Sequence, residues 1–185
     1  MAEAITMVAP LSNLPGPFVL RGMRCAPVAP MARFVFRGGA DALREAGDAV
    51  GMDFPSALCA STMGERVILW QGPDEFLFLV PHEEKQTLSA AIGEALAGVP
   101  HSLVDVSHRN VALLMEGDQV ELLLAAGIML DLSLTSFPVG MTTRTLFGKA
   151  DVTLWRQAPD CFHLETWRSF VPYVVDLLEE SARGL

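Results

Sequence analysis

Apolar residues follow two rhythms along this chain. Short runs or alternations of β-branched, leucine and aromatic residues predict strands. They occur at Phe18–Leu20, Phe34–Phe36, Val67–Trp70, Phe76–Val80, Leu103–Val106, Val111–Met115, Val152–Trp155 and Phe162–Glu165. Between them the spacing lengthens to that of a helix. Ala42, Leu43, Ala46 and Val50 form one stripe, and Leu88, Ile92, Ala95 and Leu96 a second, followed by Gly98. Val120, Leu123, Leu124 and Ile128 form a third, interrupted by Gly127. Phe170, Val174, Leu177 and Leu178 form a fourth, closed by Gly184. Ser169 is placed to cap that last helix, and Pro172 is tolerated because it falls in the first turn.

Written out, the order is strand, strand, helix, three strands, helix, and then the same again. Short echoes mark the correspondence. Val67-Ile-Leu-Trp70 matches Val152-Thr-Leu-Trp155, an offset of 152 − 67 = 85. Pro73-Asp-Glu-Phe76 matches Pro159-Asp-Cys-Phe162 at 159 − 73 = 86, with one residue inserted in the turn. Gly64 corresponds to Gly148. Trp70 and Trp155 then become equivalent core or inter-sheet residues. Turns at Gly64-Glu65, Gly72-Pro73 and Gly148-Lys149 connect antiparallel strands.

The fold class is therefore α+β, an internal duplication of two strand-strand-helix-three-strand-helix units with packed, mainly antiparallel sheets. Neither half suffices alone, because a single such sheet leaves one face wet and two packed sheets cover each other. Residues 1–30 carry Pro10, Pro15, Pro17, Pro27 and Pro30 and read as an extended arm. Residues 31–185 read as one duplicated domain, with halves of about 31–99 and 100–185.

The echo breaks at one place. Phe162-His-Leu-Glu165 alternates, as a strand with one wet face does. Phe76-Leu-Phe-Leu-Val80 is apolar throughout, with Leu77 and Leu79 where His163 and Glu165 stand. Both faces of this strand need cover, from the N-terminal arm or from another chain. Leu77 and Leu79 are thus the candidate interface residues.

Charge narrows the partners. The chain has 185 residues and a formal net charge of −9, which argues against nucleic acid and anionic membrane surfaces. Its longest apolar run, Leu122–Leu130, is half of what a transmembrane helix needs. The start, MAEAITMVAP, has no basic segment before an apolar run, so no secretory signal is expected. Cys25, Cys59 and Cys161 form no CxxC pair, which suits a reducing cytoplasm.

The densest polar cluster is Asp105-Val-Ser-His-Arg109. Strand alternation places Asp105, Ser107 and Arg109 on one side. That trio could hold an anionic or pterin-like ligand, or form a structural ion pair where the halves meet; the structural role is favoured. His108 has no metal-ligating neighbour at ligand spacing, and Ser107 and His108 face opposite ways, so neither a metal site nor a Ser–His nucleophile is expected. Phe36-Arg-Gly-Gly39 matches no phosphate-binding glycine loop. Arg144 is expected in an ion pair. No catalytic residue is assigned.

Five segments in order, LWQGPDEFLFL (69–79), VDVSHRN (104–110), LDLSLTSFPVG (130–140), RTLFGKADVTLWR (144–156) and WRSFVPYVVDLL (167–178), resemble the gamma subunits of heterotetrameric sarcosine oxidases. More distantly, Asp105–His108 followed by Gly117 is similar to the folate-binding domain of glycine-cleavage aminomethyltransferases. That domain's succession of elements is the one read above, though its acidic pair is reduced here to Asp151. The resemblance implies a subunit of a complex that oxidises sarcosine to glycine with hydrogen peroxide, yielding formaldehyde or methylene-tetrahydrofolate. It implies that FAD, FMN, NAD and tetrahydrofolate belong to larger partner subunits, that this chain binds none itself, and that it is a structural partner. A folate-binding module using Asp105, Ser107 and Arg109 is the alternative. Self-association of the isolated chain stays open.

Overall fold

A computed structural model describes residues 16–185. Eleven strands and four helices follow one another: β1 (Phe18–Leu20), β2 (Met23–Pro27), β3 (Met31–Gly38), α1 (Ala40–Val50), β4 (Ala60–Met63), β5 (Arg66–Gly72), β6 (Glu75–Pro81), α2 (Lys85–Ala95), β7 (His101–Asp105), β8 (Asn110–Glu116), α3 (Val120–Ala125), β9 (Thr142–Phe147), β10 (Ala150–Ala158), β11 (Cys161–Trp167) and α4 (Val171–Arg183). The strands form two sheets, β4-β5-β6-β3-β7 and β1-β2-β8-β11-β10-β9. Every pairing is antiparallel.

The two sheets repeat one arrangement with an exchange. β4, β5, β6 and β3 run in the same order as β9, β10, β11 and β8. The strand that opens each half, however, is laid on the other half's sheet. β2 pairs with β8, and β7 pairs with β3. The expected boundary near residue 100 is therefore crossed in both directions. The expected arm is corrected as well: residues 18–20 and 23–27 are sheet strands, with Met23 and Cys25 buried in the core of the second sheet. Residues 1–15 lie outside the described residues.

Helices cover the outer faces. α1 sets Ala42, Ala46 and Val50 against Phe34, Phe36, Ile68, Phe76 and Phe78, and α2 adds Leu88 and Ile92. The alanines let the α1 backbone come close to the sheet. Gly51, at φ 68°, closes α1 by donating to the Gly47 carbonyl, a left-handed turn that glycine enters without steric cost. On the second sheet, Val120, Leu123 and Leu124 of α3 and Val174, Leu178 and Ala182 of α4 pack on Leu113, Val152, Leu154, Phe162 and Leu164. Pro172 does fall in the first turn of α4, but Phe170, not Ser169, occupies the cap position, and no side chain caps the helix.

A third, smaller core lies between the sheets. Val67, Leu69, Leu77, Leu79, Val106 and Trp155 meet there. This corrects the expected interface. Leu77 and Leu79 are 2% and 1% exposed because the second sheet covers them; neither an arm nor another chain is needed. Burying each stabilises the sandwich by about 1.5–3 kcal/mol. Trp70 and Trp155 are not equivalent either. Trp70 packs on the helix-side core of the first sheet, whereas Trp155 faces between the sheets. In the hairpin registers Trp70 lies opposite Phe76 and Arg156 lies opposite Phe162, so Arg156 is the counterpart of Trp70. A slip of one residue exchanges the two faces of a strand.

His163 and Glu165 are not on a wet face. They are 3% and 1% exposed, on the inter-sheet side of β11. Glu165 receives Arg33 from β3: Nε at 2.9 Å from Oε2 and Nη2 at 3.0 Å from Oε1. Arg33 also donates to the Met31 carbonyl at 3.1 Å. His163 Nε2 is 3.0 Å from Glu165 Oε1, and since an ionised carboxylate only accepts, that nitrogen carries the hydrogen. The three side chains fasten one sheet to the other. Removing one member of such a pair strands a buried charge, at a cost of about 3–5 kcal/mol, while replacing both with apolar groups of similar size is far less costly. Glu165→Ala should therefore destabilise the fold by about 3–5 kcal/mol in urea unfolding. The double change Arg33→Met with Glu165→Leu should recover most of that loss.

Candidate functional site

Beside the clamp the sheets part around a cavity of about 320 Å³. Leu77, Val35 and Val106 supply apolar wall, Gln71 and Thr153 line it from the facing strands β5 and β10, and Glu165 reaches it from the clamp. Arg109, Trp167, Glu75, Arg144 and Asp151 also line it. The volume is at the lower end of the range for small-molecule sites.

Most of the charge in this cavity is paired within it. Arg144 Nε lies 3.3 Å from Asp151 Oδ1, and its Nη1 3.6 Å from Glu75 Oε1, the ion pairing expected for Arg144. Glu165 is taken up by Arg33 and His163. Burial pushes the Glu165 carboxyl upward, but the Arg33 charge and the His163 hydrogen bond outweigh it, and the group is held below the ordinary carboxylate range. Arg109 is the exception. Its guanidinium stacks on Trp167, 5.5 Å from the ring centre, and its Nε donates to Asn110 Oδ1 at 3.0 Å. Among the described residues it has no carboxylate partner. Gln71 accepts from Thr153 Oγ1 at 2.9 Å, while its buried Nε2 has no acceptor among the described residues.

The trio expected from the sequence does not converge. β7 ends at Asp105, and the chain turns as Arg109 and Asn110 donate to the Val106 carbonyl, so strand alternation stops before Arg109. Asp105 Oδ1 accepts from Ser107 N at 2.9 Å and Oγ at 2.6 Å. Its Oδ2 lies 2.6 Å from Lys85 Nζ. Burial acts to raise the Asp105 carboxyl, yet Lys85 and Ser107 together lower it to about 2. Ser107 Oγ also accepts from the backbone N–H of Arg33 at 3.0 Å, and Val106 N–H donates to the Arg33 carbonyl at 2.8 Å. Asp105 and Ser107 thus fix the backbone of the clamp arginine, while Arg109 alone of the three reaches the cavity.

The sequence pattern does not single out Arg33, and it gives Glu165 a wet face. A signal was present: Arg33 shares a strand face with Met31 and Val35, and a charge among apolar neighbours implies a buried partner. No His–Ser or His–Cys hydrogen bond exists among the described residues. Likewise no group of three or more His, Cys, Asp or Glu residues is placed to hold a metal ion among the described residues. Among the described residues every strand pairing is antiparallel, so there is no parallel βαβ unit.

Comparison with known proteins decides the family. Residues 39–183 match the model of the sarcosine oxidase gamma subunit family. The chain belongs to that family. The gamma subunit of sarcosine oxidase from Corynebacterium sp. (strain P-1) is 30% identical over 151 residues, which is 78% of this chain and 72% of that one. A chain of the heterotetrameric sarcosine oxidase from Corynebacterium sp. U-96, solved with pyrrole 2-carboxylate, shares the fold with a TM-score of 0.84, 23% identity, and coverage of 96% of this chain and 95% of that chain. The glycine cleavage system aminomethyltransferase T from Bartonella henselae shares it at a TM-score of 0.62 and 14% identity, over 83% of this gamma-family chain but 44% of that chain.

The carboxylates set the acid response of this gamma-family fold. Glu165 and Asp105 titrate below their ordinary values of 4.5 and 3.8, so the folded state holds their protons more weakly than the unfolded chain does. Their stabilisation is complete above those ordinary values and is lost as the pH falls through the lowered ones. Urea midpoints should accordingly drop as the pH is taken from 5 towards 2, and the Arg33→Met, Glu165→Leu double variant should show a shallower drop.

Proposed function

We propose that this chain serves as the gamma subunit of a heterotetrameric sarcosine oxidase and acts there as a structural partner of the larger, catalytic subunits. In this reading the complex oxidises sarcosine to glycine with hydrogen peroxide, and the one-carbon unit leaves as formaldehyde or methylene-tetrahydrofolate. FAD, FMN, NAD and tetrahydrofolate belong to the larger subunits, and the complex works in the cytoplasm. The observation that carries the structural role is how the chain uses its polar groups. Arg33, His163 and Glu165 hold the sheets to each other, Asp105 and Ser107 fix the Arg33 backbone, and Arg144 pairs with both Glu75 and Asp151. Each of these side chains already has a partner within the chain. Co-expressed with the larger subunits, the chain should co-purify in a flavin-containing assembly, and alone it should yield no sarcosine-dependent peroxide. A chain that stays monomeric in the presence of those subunits overturns this reading.

One observation favours a second reading, a folate-binding module of one-carbon metabolism. Among the described residues, Arg109 and the Gln71 amide are donors without a full set of acceptors, at a cavity floored by buried apolar residues. They would suit a flat ligand rich in carbonyl and ring-nitrogen acceptors. Calorimetric titration of the isolated chain with tetrahydrofolate should then give heat that Arg109→Met reduces. No heat at millimolar ligand excludes it.

A further inference from the structure

The two sheets differ most in the connection from helix to first hairpin. α1 reaches β4 through 9 residues, 51–59, whereas α3 reaches β9 through 16, 126–141. Connections of that length without regular structure are uncommon and usually functional. This one carries Met129 at 98% exposure, Leu134 and Val139 at 49% and Leu130 at 40%, next to Leu122 of α3 at 57%. Single exposed apolar side chains are ordinary, but several in one place mark a contact surface.

Leu122, Leu130 and Leu134 line one groove of about 470 Å³. Its shape is held from beneath by Arg156, whose guanidinium lies 4.7 Å over the Phe162 ring and donates to the carbonyls of Leu132 at 2.7 Å and Phe137 at 2.9 Å. Asp131 ties the loop again, accepting from Ser133 N at 2.9 Å and Ser136 Oγ at 2.6 Å. The groove is therefore preformed. Around it stand Asp118, Glu121, Asp131 and Asp160. Arg156 is the one cation of the lining, 1% exposed and 2.8 Å from Glu121, so Asp118, Asp131 and Asp160 keep no cationic partner among the described residues.

We infer that this groove receives a segment of a larger sarcosine oxidase subunit, one that presents apolar side chains flanked by lysine or arginine. The inference rests on the gamma-subunit role proposed above. Charge selects the occupant: a basic segment answers three carboxylates that have no cationic partner among the described residues, whereas a second copy of this chain would bring the same carboxylates face to face. The exposed leucines supply the area that leaves water, and the carboxylates set register and specificity.

The test uses the whole chain co-expressed with the larger subunits. Leu122→Ser with Leu134→Ser removes the apolar contact, and Asp118→Lys with Asp160→Lys reverses the rim. All four positions lie outside the three cores, so each variant should melt as the wild type does when isolated. Each should bind the larger subunits at least about tenfold more weakly in a competition pull-down read by native mass spectrometry. In wild-type complex, hydrogen exchange should slow across residues 118–134. Folded variants that assemble like wild type, or protection confined to other segments, overturn the inference while leaving the gamma-subunit role standing. Dimers of the isolated chain that Leu122→Ser with Leu134→Ser dissolves also overturn it, in favour of a second copy. A wild-type chain that binds no larger subunit removes the role itself.

Discussion

A buried ion pair joins the two halves of this molecule. Arg33 from one sheet and Glu165 from the other meet with almost no exposure to water, and His163 donates to the same Glu165 oxygen that accepts from Arg33 Nη2. Taken out of water, neither charge is tolerable alone. The pair therefore fixes the stacking of the sheets as a condition of folding, where an apolar contact would merely favour it. The small inter-sheet core of Leu69, Leu77, Leu79 and Trp155 packs beside it. Even the conspicuous Asp105–Ser107 motif is best understood through the pair, since its hydroxyl and backbone hold Arg33 in position.

The sequence carried the fold well and the clamp badly, for a physical reason. Helix stripes and strand alternation depend on local spacing, so all four helices and the antiparallel hairpins were legible from it. A buried ion pair depends on residues 132 positions apart, and in one dimension each partner looks like a solvated charge. His163 and Glu165 were thus assigned to water, and Leu77 and Leu79 were assigned a contact beyond the sheets. Both misreadings have one origin. The faces of β6 and β11 that differ in polarity both point into the gap between the sheets.

The tryptophan echo shows a second limit. Val67-Ile-Leu-Trp70 and Val152-Thr-Leu-Trp155 agree in letters, but β10 runs two residues longer than β5, and the shared letters fall one step out of structural register. Hydrophobic residues occupy both faces of both strands, so pattern alone could not expose the slip. The true counterpart of Trp70 is Arg156, which took on a different task beneath the long loop of the second half.

The exchanged strands also bear on how such a chain leaves the ribosome. β2 must wait for β8, with Arg24 opposite Glu116, and the first sheet stays one strand short until β7 has emerged. The second sheet is complete only once β11 arrives, near the end of the chain. Pairings this remote in sequence close late and slowly, because loop entropy is spent before contacts repay it. Nascent chains of this kind therefore hold open, apolar sheet edges through most of their synthesis, the state in which chaperones or an early-binding partner have most to protect.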